Sequence, residues 1–441
     1  MDLTSRLRSI VRPAGTVRGE LTYEPDTGRY EATIDVDRVA DVLGGRVVAN
    51  RFGRALVVDR RYESDRYHGA ARIGDCELRD DEGLRLLDPN LVVPDGCGTR
   101  TLFVDLETTG LSGGAGTVAF LVGCGWFDMG AFQVRQFLLT SYASERALLS
   151  AVAECFDDTS LLVTYNGKTF DVPMMETRWL FHRMEMPLDS VRHFDMLHPA
   201  RRLWRARPGA RDVDGDAGCR LTTLERMLWE VRRIGDVPGL EIPARYFRFL
   251  RSGDARPLEP VLEHNRLDLI SLAAVTARAL QLVNEGTESC RDAAEALALG
   301  KVYERAGSFE RAVECYRHAA ADPAAHVDVR AEGLYRLGLR MRRERRFEEA
   351  ASIWRTLLDL KPGRIRTPLL APLRQFAAEA LAIHHEHRER DYDGARELAL
   401  LALEEAEAGD FRARTDATLH RLSRLDRKLA RRNDSYLFNG S

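Results

Sequence analysis

The sequence predicts an α/β domain built on a mixed sheet, followed by an all-α repeat domain and preceded by a small β-rich region. Closely spaced strand-like runs start near residue 101 and then alternate with helical stretches. Beyond residue 285 the strand patterns vanish while helical periodicity continues. The length of 441 residues suits roughly three folding units of about 150 residues each.

The N-terminal part comprises residues 1–97. Its first residues lack periodicity and predict a loose arm. Short apolar runs at 46–49 and 55–58, separated by Gly and Asp, predict a small β-rich segment. The turn-forming stretch Pro94-Asp-Gly-Cys-Gly98 then marks a break.

The α/β pattern occupies residues 98–285. Three strand-like runs joined by Gly-containing turns predict an antiparallel meander, and helices then alternate with strands. The predicted strands are 101–105, 118–122, 132–138, 161–165 and 191–194, and the first helices are 144–156 and 172–184. Together these elements predict a five-stranded mixed sheet covered by helices.

The all-α part covers residues 290–432. Phe309, Phe347 and Tyr392 each begin a second helix that follows a first helix with a small residue at a matching position. The recurring unit is somewhat longer than the 34-residue tetratricopeptide repeat, and it predicts about three degenerate tetratricopeptide-like repeats. An ordinary helical bundle is the alternative.

Composition excludes several classes of protein. The 65 Lys and Arg residues nearly balance 68 Asp and Glu residues, giving a net charge of -3, so any basic surface for nucleic acid must be local. The seven cysteines contain no C-x-x-C pair, which argues against zinc ribbons, redox dithiols and disulfide frameworks. No apolar run approaches about 18 residues, and no secretory signal is visible, so we expect a cytoplasmic protein without a membrane partner.

Acidic residues occur at three informative places in the α/β segment. Asp105 and Glu107 end a strand, where positions i and i+2 face the same side. Asp171 lies at the mouth of a helix, and Asp268 follows His264 by one helical turn. Taken singly, they have ordinary alternatives: solvated strand-end acids, a helix N-cap and an exposed helix pair.

In their order and spacing, these motifs resemble the DEDD superfamily of 3′-5′ exonucleases, the DnaQ-like branch of the ribonuclease H-like fold. The sequence D-x-E-T-T-G starts at Asp105, N-x-x-x-F-D at Asn166 and H-x-x-x-D at His264. The resemblance extends from about residue 98 to residue 283, and the three-strand meander agrees with that fold. It implies a ribonuclease H-like hydrolase that cleaves phosphodiester bonds.

The same resemblance implies the metal ligands and the mechanism. Two divalent ions, Mg²⁺ or Mn²⁺, would be held by Asp105, Glu107, Asp171 and Asp268. His264 would orient or deprotonate the attacking water. Family members with a catalytic His usually have H-x-x-x-x-D, whereas this His stands at the spacing of Y-x-x-x-D members. Its role as a base, a water-orienting group, a substrate contact or a structural residue therefore stays open.

Finer features resemble the bacterial YprB-type ribonuclease H-like domain proteins, a group with which C-terminal tetratricopeptide-like repeats are compatible. These features are the stretches 110–116, 164–168 and 197–204, and Asp236-Val-Pro-Gly239.

Seven residues are expected to bind substrate: Thr108, Leu111, Asn166, Lys168, Phe170, Arg201 and Arg202. By the resemblance, Leu111 would wedge against the terminal base. Lys168 could contact phosphate, and the Arg pair beside Trp204 suits the phosphates and stacked bases of a single strand. The alternatives are that Leu111 is an ordinary turn residue and that the Arg pair belongs to a solvated basic face.

Two further groups are expected to be structural. Glu225 would complete a helix cap with Thr222. No metal is expected at His384, His385 and His387, because regular helical geometry gathers only the first and third on one side, without a carboxylate at matching spacing.

We therefore expect a metal-dependent 3′-5′ exonuclease acting on nucleic acid with a free, single-stranded 3′ end, either DNA or RNA. The helical repeats would bind substrate or a protein partner. Two rivals remain: a catalytically weak nucleic-acid- or protein-binding adaptor on the same fold, and a structure-specific endonuclease.

Overall fold

The structure, a computed structural model, describes residues 34–78, 82–91, 100–110, 116–188, 191–205, 219–361, 369–408 and 415–438. Within these ranges, seven strands form one mixed sheet. They are β1 (Arg46–Asn50), β2 (Gly53–Tyr62), β5 (Arg100–Thr108), β6 (Ala119–Asp128), β7 (Ala131–Leu138), β8 (Thr159–Thr164) and β9 (Arg192–Asp195). The order is β1-β2-β7-β6-β5-β8-β9. The short strands β3 (Tyr67–His68) and β4 (Ala71–Arg72) pair separately.

The mixed sheet combines the predicted meander with parallel strands. Neighbours β5, β6 and β7 pair antiparallel, whereas β8 pairs parallel with both β5 and β9. The prediction of a ribonuclease H-like mixed sheet flanked by helices is confirmed. β5 lies between an antiparallel and a parallel neighbour, so the residues at its end lie in the interior of the sheet and not at its edge.

The predicted count of five strands is wrong, because the N-terminal region adds a hairpin to the same sheet. β1 and β2 pair antiparallel, and β2 continues along β7 in register from Leu56 opposite Leu138 to Tyr62 opposite Phe132. Leu56 is fully buried. The two apolar runs predicted for a separate β-rich segment are therefore strands of the main sheet.

Helices cover both faces of the sheet. Those before residue 290 are α1 (Val36–Leu43), α2 (Glu82–Leu87), α3 (Glu145–Ala153), α4 (Asp171–Phe181), α5 (Leu197–Trp204), α6 (Leu221–Trp229), α7 (Ile242–Ser252) and α8 (Glu259–Glu285). Alternation along β5 sends Leu102 and Val104 into a core with Trp179 of α4 and sends Phe103 into the opposite core with Leu269 of α8. Each face of the strand therefore has its own hydrophobic layer.

The longest of these helices, α8, packs across β5, β6 and β7. The stretch 256–289 that contains it is long and apolar enough to cross a bilayer by composition, but 72% of its most apolar window is buried inside the protein. Core helices of globular proteins commonly have this character. We interpret α8 as the core helix that carries site residues over the sheet.

Helices continue to the end of the described chain. They are α9 (Ala293–Arg305), α10 (Phe309–Ala321), α11 (Val327–Arg343), α12 (Phe347–Leu358), α13 (Leu370–His384), a π-helical turn (His385–Glu389), α14 (Tyr392–Ala408) and α15 (Thr415–Phe438). Neighbouring helices pack in sequence, α9 with α10, α11 with α12, and α13 with α14. The three predicted second helices begin at Phe309, Phe347 and Tyr392 as expected.

Glycines allow the close approach of paired helices. A Cβ at Gly300 would overlap the ring of Tyr316 on the partner helix, and one at Gly338 would overlap Trp354. Both aromatic side chains are buried. The helical region is joined to the sheet domain as well, because Trp204 of α5 donates a hydrogen bond from Nε1 to Glu295 Oε1 of α9 at 2.9 Å.

Candidate active site

The first two acids stand at the end of β5. Strand alternation puts Asp105 and Glu107 on the same face as Phe103, toward α8, while Leu106 enters the opposite core. The pairing of β5 with β6 shifts register between Glu107 and Thr108, and such an irregularity re-aims side chains where a strand ends. The main chain of Asp105 is tied to α8, because Asn265 Nδ2 donates to its carbonyl oxygen at 3.1 Å.

The third acid, Asp171, is the first residue of α4 and is buried. Phe170 is the N-cap residue of this helix, so the interpretation of Asp171 as the cap is wrong. Asp195, at the end of β9, accepts hydrogen bonds from the backbone N–H groups of Asn166 at 2.8 Å and Lys168 at 3.1 Å. This buried carboxylate therefore braces the loop that leads into Asp171.

His264 and Asp268 lie one turn apart on α8. His264 Nε2 is 3.4 Å from Asp268 Oδ2 and 4.0 Å from Glu107 Oε1. The side chains of these three residues are only 14% to 16% exposed. On the other side of the ring, Nδ1 lies 2.6 Å from Asp236 Oδ1. The imidazole therefore bridges Asp236 and the acid cluster, with Nε2 facing the cluster.

Arg233 also contacts the acid cluster, although its sequence position gives no sign of it. Its Nη2 donates to Asp268 Oδ1 at 2.5 Å, and its Nε and Nη2 donate to Glu225 at 2.7 and 2.8 Å. Burial would lower the pKa of Arg233, but the two carboxylates reverse this and raise it. Because Arg233 lies outside the three motifs, no spacing in the sequence identified it, whereas Asp236 belongs to a stretch already noted as a family feature.

Glu225 also has a different role from the one expected. Helix α6 begins at Leu221, and its N-cap residue, Arg220, makes no side-chain capping bond. Glu225 is buried and accepts hydrogen bonds from Arg233 and Ser271. Burial alone would raise its pKa, but the bonds from His68 and Arg233 lower it. The predicted cap is wrong, and Glu225 instead anchors the guanidinium that contacts Asp268.

The four acids interact electrostatically. Burial raises the pKa of Asp105 well above its usual value, and the charges of Asp268, Glu107 and Asp171 raise it further. Burial, Asp268 and Asp171 raise the pKa of Glu107 to about 8. Burial and Asp195 raise the pKa of Asp171 to about 7. Carboxyl groups that are buried close to one another resist simultaneous ionisation unless cations accompany them.

The donor set fits hard divalent cations. Four carboxylates and no sulfur ligands match the oxygen preference of Mg²⁺ and Mn²⁺. Among the described residues, however, sets of three ligand atoms within 4.8 Å of one another occur only in the C-terminal helices. The four acids therefore do not bring three ligand atoms that close to one another, and Arg233 occupies one side of Asp268.

Several predicted substrate-binding residues have partners within the protein. Thr108 is buried and donates from Oγ1 to the carbonyl oxygen of Gly110 at 2.9 Å. The Lys168 ammonium group lies 3.1 Å from Asp88 Oδ2, so it faces Asp88 and not the acid cluster. Asn166 accepts a hydrogen bond from Thr169 Oγ1 at 2.8 Å.

The remaining predicted contacts fall in different environments. Phe170 is half-buried where it caps α4, and Leu111 lies outside the described residues. Arg202 Nη1 donates to the carbonyl oxygen of Leu87 at 3.0 Å. Trp204 is fully buried, so the expected aromatic surface for stacking bases beside the Arg pair is absent from this described helix.

Arg201 is exposed and lines a cavity beside the motif of Asn166. The cavity has a volume of about 300 Å³, and Arg205 and Arg220 also line it. Three arginines among the lining residues make this cavity locally basic next to the loop that carries Asp171. This agrees with the expectation that basic contacts would be local in a chain of nearly balanced charge.

Comparisons with known proteins identify the family of this chain. Residues 102–280 match the sequence model of the RNase_H superfamily. The chain is 31% identical over 328 residues to YprB of Bacillus subtilis (strain 168), an uncharacterized protein, and the match covers 74% of each chain. The chain belongs to the YprB family. Its ribonuclease H-like domain is of a nuclease type, whose members act on nucleic acid and typically use divalent metal ions.

Proposed function

We propose that the protein is a metal-dependent 3′-5′ exonuclease that hydrolyses phosphodiester bonds at single-stranded ends of DNA or RNA. One observation carries the proposal: Asp105, Glu107, Asp171 and Asp268 come from three separate elements and share one half-buried cluster. Burying four interacting acids costs stability. A ligand function for cations explains why the fold keeps them together.

The proposed roles follow from the positions of the residues. The four acids would hold divalent ions, which supply an activated water and stabilise charge on the phosphate and the leaving oxygen. Asp236 binds His264 through Nδ1, and this favours the tautomer with its proton on Nδ1 and a free lone pair on Nε2. Nε2 faces Glu107 and Asp268, so it is aimed to take a proton from a water held by the cluster.

The surroundings of the cluster support a single-stranded substrate. The acids on β5, α4 and α8 are buried or half-buried, and a single strand, being narrower than a base-paired end, would reach them more readily. Arg201 and its basic cavity lie beside the loop leading to Asp171, where they suit phosphates of the incoming strand. The C-terminal helices would act as tetratricopeptide-like repeats that bind substrate or a protein partner.

A second candidate, a catalytically weak adaptor, is favoured by one specific observation. Arg233 already neutralises Asp268 with a buried guanidinium, and the acids are not drawn together into a metal-sized cluster. A fold that had exchanged cations for an internal arginine would bind nucleic acid without cleaving it. Cleavage of nucleic acid by the purified protein would distinguish the proposed nuclease from this adaptor.

The decisive experiment measures degradation of labelled oligonucleotides by the full-length protein. Single-stranded and duplex DNA and RNA carrying a 5′ label are incubated with Mg²⁺ or Mn²⁺, and products are resolved by length. The proposed enzyme gives progressively shortened 5′-labelled products and nucleoside monophosphates, and chelation of the metal stops the reaction. Single strands are degraded faster than blunt duplexes.

Controls tie that activity to the acid cluster. Asp105→Asn and Asp171→Asn should each lower the rate by at least about 10³-fold, because each removes a charge from the two-metal site. Glu176→Gln changes an exposed acid on α4, and this matched variant should retain full activity. Cleavage of a circular single strand would instead indicate an endonuclease, and binding without cleavage would favour the adaptor.

A further inference from the structure

A second cluster of potential ligands lies about the end of α13, far along the chain from the acid cluster. His384 is the last residue of α13, Glu389 ends the π-helical turn that follows, and Glu348 lies on α12. His384 Nε2 is 3.1 Å from Glu389 Oε1 and 3.3 Å from Glu348 Oε2. The three ligand atoms all lie within 4.8 Å of one another.

The imidazole of His384 is buried without a hydrogen-bond partner at Nε2. Its side chain is only 5% exposed, and neither carboxylate oxygen lies where it would accept a proton from Nε2. A buried polar atom left in this way is energetically unfavourable. The unpartnered nitrogen has two carboxylate oxygens within 3.3 Å, a set of donor atoms that a cation can share.

The two ligand-atom distances measured from His384 Nε2 match coordination by a small tetrahedral ion. A zinc-type ion lies about 2.0–2.2 Å from imidazole nitrogen and carboxylate oxygen, which puts two ligand atoms about 3.3 Å apart. The two distances from His384 Nε2, 3.1 and 3.3 Å, agree with that value. Three protein ligands leave a fourth position for water.

The π-helical turn explains why the sequence pattern failed to indicate this site. A regular helix would put the carboxylates out of reach, and the histidines were expected to lack one at matching spacing. The π turn His385–Glu389 changes the helical register locally, and Glu348 comes from another helix. Single π turns are found frequently at functional sites.

The other carboxylate oxygen of Glu389, Oε2, also has a neighbouring histidine. His385 Nδ1 lies 3.2 Å from Glu389 Oε2 and 3.0 Å from Asp391 Oδ2. Such outer contacts orient a ligating carboxylate. Arg355 competes for this carboxylate, because its Nη2 donates to Glu389 Oε1 at 3.1 Å. Its side chain is 49% exposed, so it has room to turn away into solvent.

We propose that His384, Glu348 and Glu389 form a binding site for a zinc-type divalent ion that joins α12 to the end of α13. Mixed imidazole and carboxylate ligands suit Zn²⁺ better than Mg²⁺, which prefers oxygen ligands alone. The site is independent of the proposed nuclease activity. Bound Zn²⁺ would fix neighbouring helical pairs of the C-terminal region with respect to each other.

The test titrates chelator-treated full-length protein with Zn²⁺ in excess Mg²⁺, in an Asp105→Asn background that weakens the other candidate site. Calorimetry should show one Zn²⁺ ion bound tightly per protein chain. Co²⁺ bound at the same site should give the visible absorption of a tetrahedral complex. Glu348→Gln should weaken Zn²⁺ binding at least about tenfold. This residue is 79% exposed, so its substitution leaves folding intact. Thermal unfolding should occur at a higher temperature with Zn²⁺.

Three further variants make the outcome decisive. His384→Gln should also lose the tight equivalent, with circular dichroism reporting whether it folds. His387→Gln changes a histidine of the same turn that is 55% exposed and outside the cluster, and it should bind Zn²⁺ normally. Arg355→Gln should tighten binding by removing the competitor. Absence of a tight equivalent in the parent protein, or equal affinity in Glu348→Gln, would overturn the proposal.

Discussion

Asn265 Nδ2 lies 2.7 Å from Asp105 Oδ2, so a side chain of α8 holds the carboxylate at the end of β5. The amide is itself fixed, because Gln136 Nε2 donates to Asn265 Oδ1 at 2.7 Å. Gly123 of β6 makes room for it, since a Cβ there would overlap the amide. The orientation of Asp105 therefore depends on three buried residues, Asn265, Gln136 and Gly123, none of which is a defining residue of the motifs.

Loss of this support should impair metal use more than folding. We expect Asn265→Ala to lower kcat and the affinity for Mn²⁺ by about 10- to 100-fold, the usual range for outer-shell partners of metal ligands. Nuclease assays across a Mn²⁺ series measure both quantities. Gly123→Ala should act in the same direction by displacing the amide. Gly239→Ala, at an open position, is the matched control. Full activity in Asn265→Ala would contradict this role.

The Asp236 carboxylate should orient His264 for proton transfer. We expect Asp236→Ala to lower kcat by about 10- to 100-fold with little change in KM, because the imidazole loses its partner at Nδ1. Asp236→Asn keeps an acceptor oxygen and should recover part of the rate. Steady-state kinetics on a single-stranded oligonucleotide measure both effects.

A double substitution distinguishes this role from a general structural one. If Asp236 acts through His264, Asp236→Ala should cause no further loss in a His264→Ala background. Additive losses in the double variant would show that Asp236 contributes to the activity by another route.

Local patterns in the sequence predicted much of the fold. Alternation along β5 put Asp105 and Glu107 on one face, and the i, i+4 spacing put His264 and Asp268 on one side of α8, as the structure has them. Both relations depend only on regular backbone geometry within one element. For the same reason, the helix start at Phe347 was predicted correctly.

Contacts between distant or irregular segments could not be predicted from such local sequence patterns. The pairing of Leu56 with Leu138 joins residues far apart in sequence, and an apolar run alone does not name its partner strand. Arg233 reaches Asp268 from an irregular segment after α6, so no periodicity indicates the contact. The ligands about His384 require a π turn, which a regular 3.6-residue pattern cannot predict.

Arg233 should stabilise the metal-free protein strongly. Its removal leaves Glu225, whose side chain is 2% exposed, without its cationic partner. Breaking a buried pair in this way typically costs about 3–5 kcal/mol, so we expect Arg233→Gln to lower the free energy of unfolding by that order. Urea denaturation measures the change. Arg256→Gln, which breaks the exposed pair with Asp254, should change the free energy of unfolding very little. Equal stability of the two variants would contradict the assignment.

Without divalent cations, the acid cluster should destabilise the folded protein increasingly as pH rises. Folding raises the pKa of Glu107 from 4.5 to about 8 and that of Asp171 from 3.8 to about 7. A carboxyl group with a raised folded-state pKa costs nothing below its unfolded pKa, and the cost grows until pH passes the folded value. The contribution of these carboxyl groups to the metal-free Tm should therefore fall from about pH 4 toward pH 8. Asp105→Asn removes one charge, so it should be more stable than the parent by roughly 1–3 kcal/mol at pH 8 but not at pH 4.

Mg²⁺ should stabilise the parent most at pH 8 and the variant little, whereas Glu176→Gln should follow the parent. A constant difference between Asp105→Asn and the parent across this range, measured by thermal unfolding in chelator, would show that the four acids do not share one electrostatic cluster.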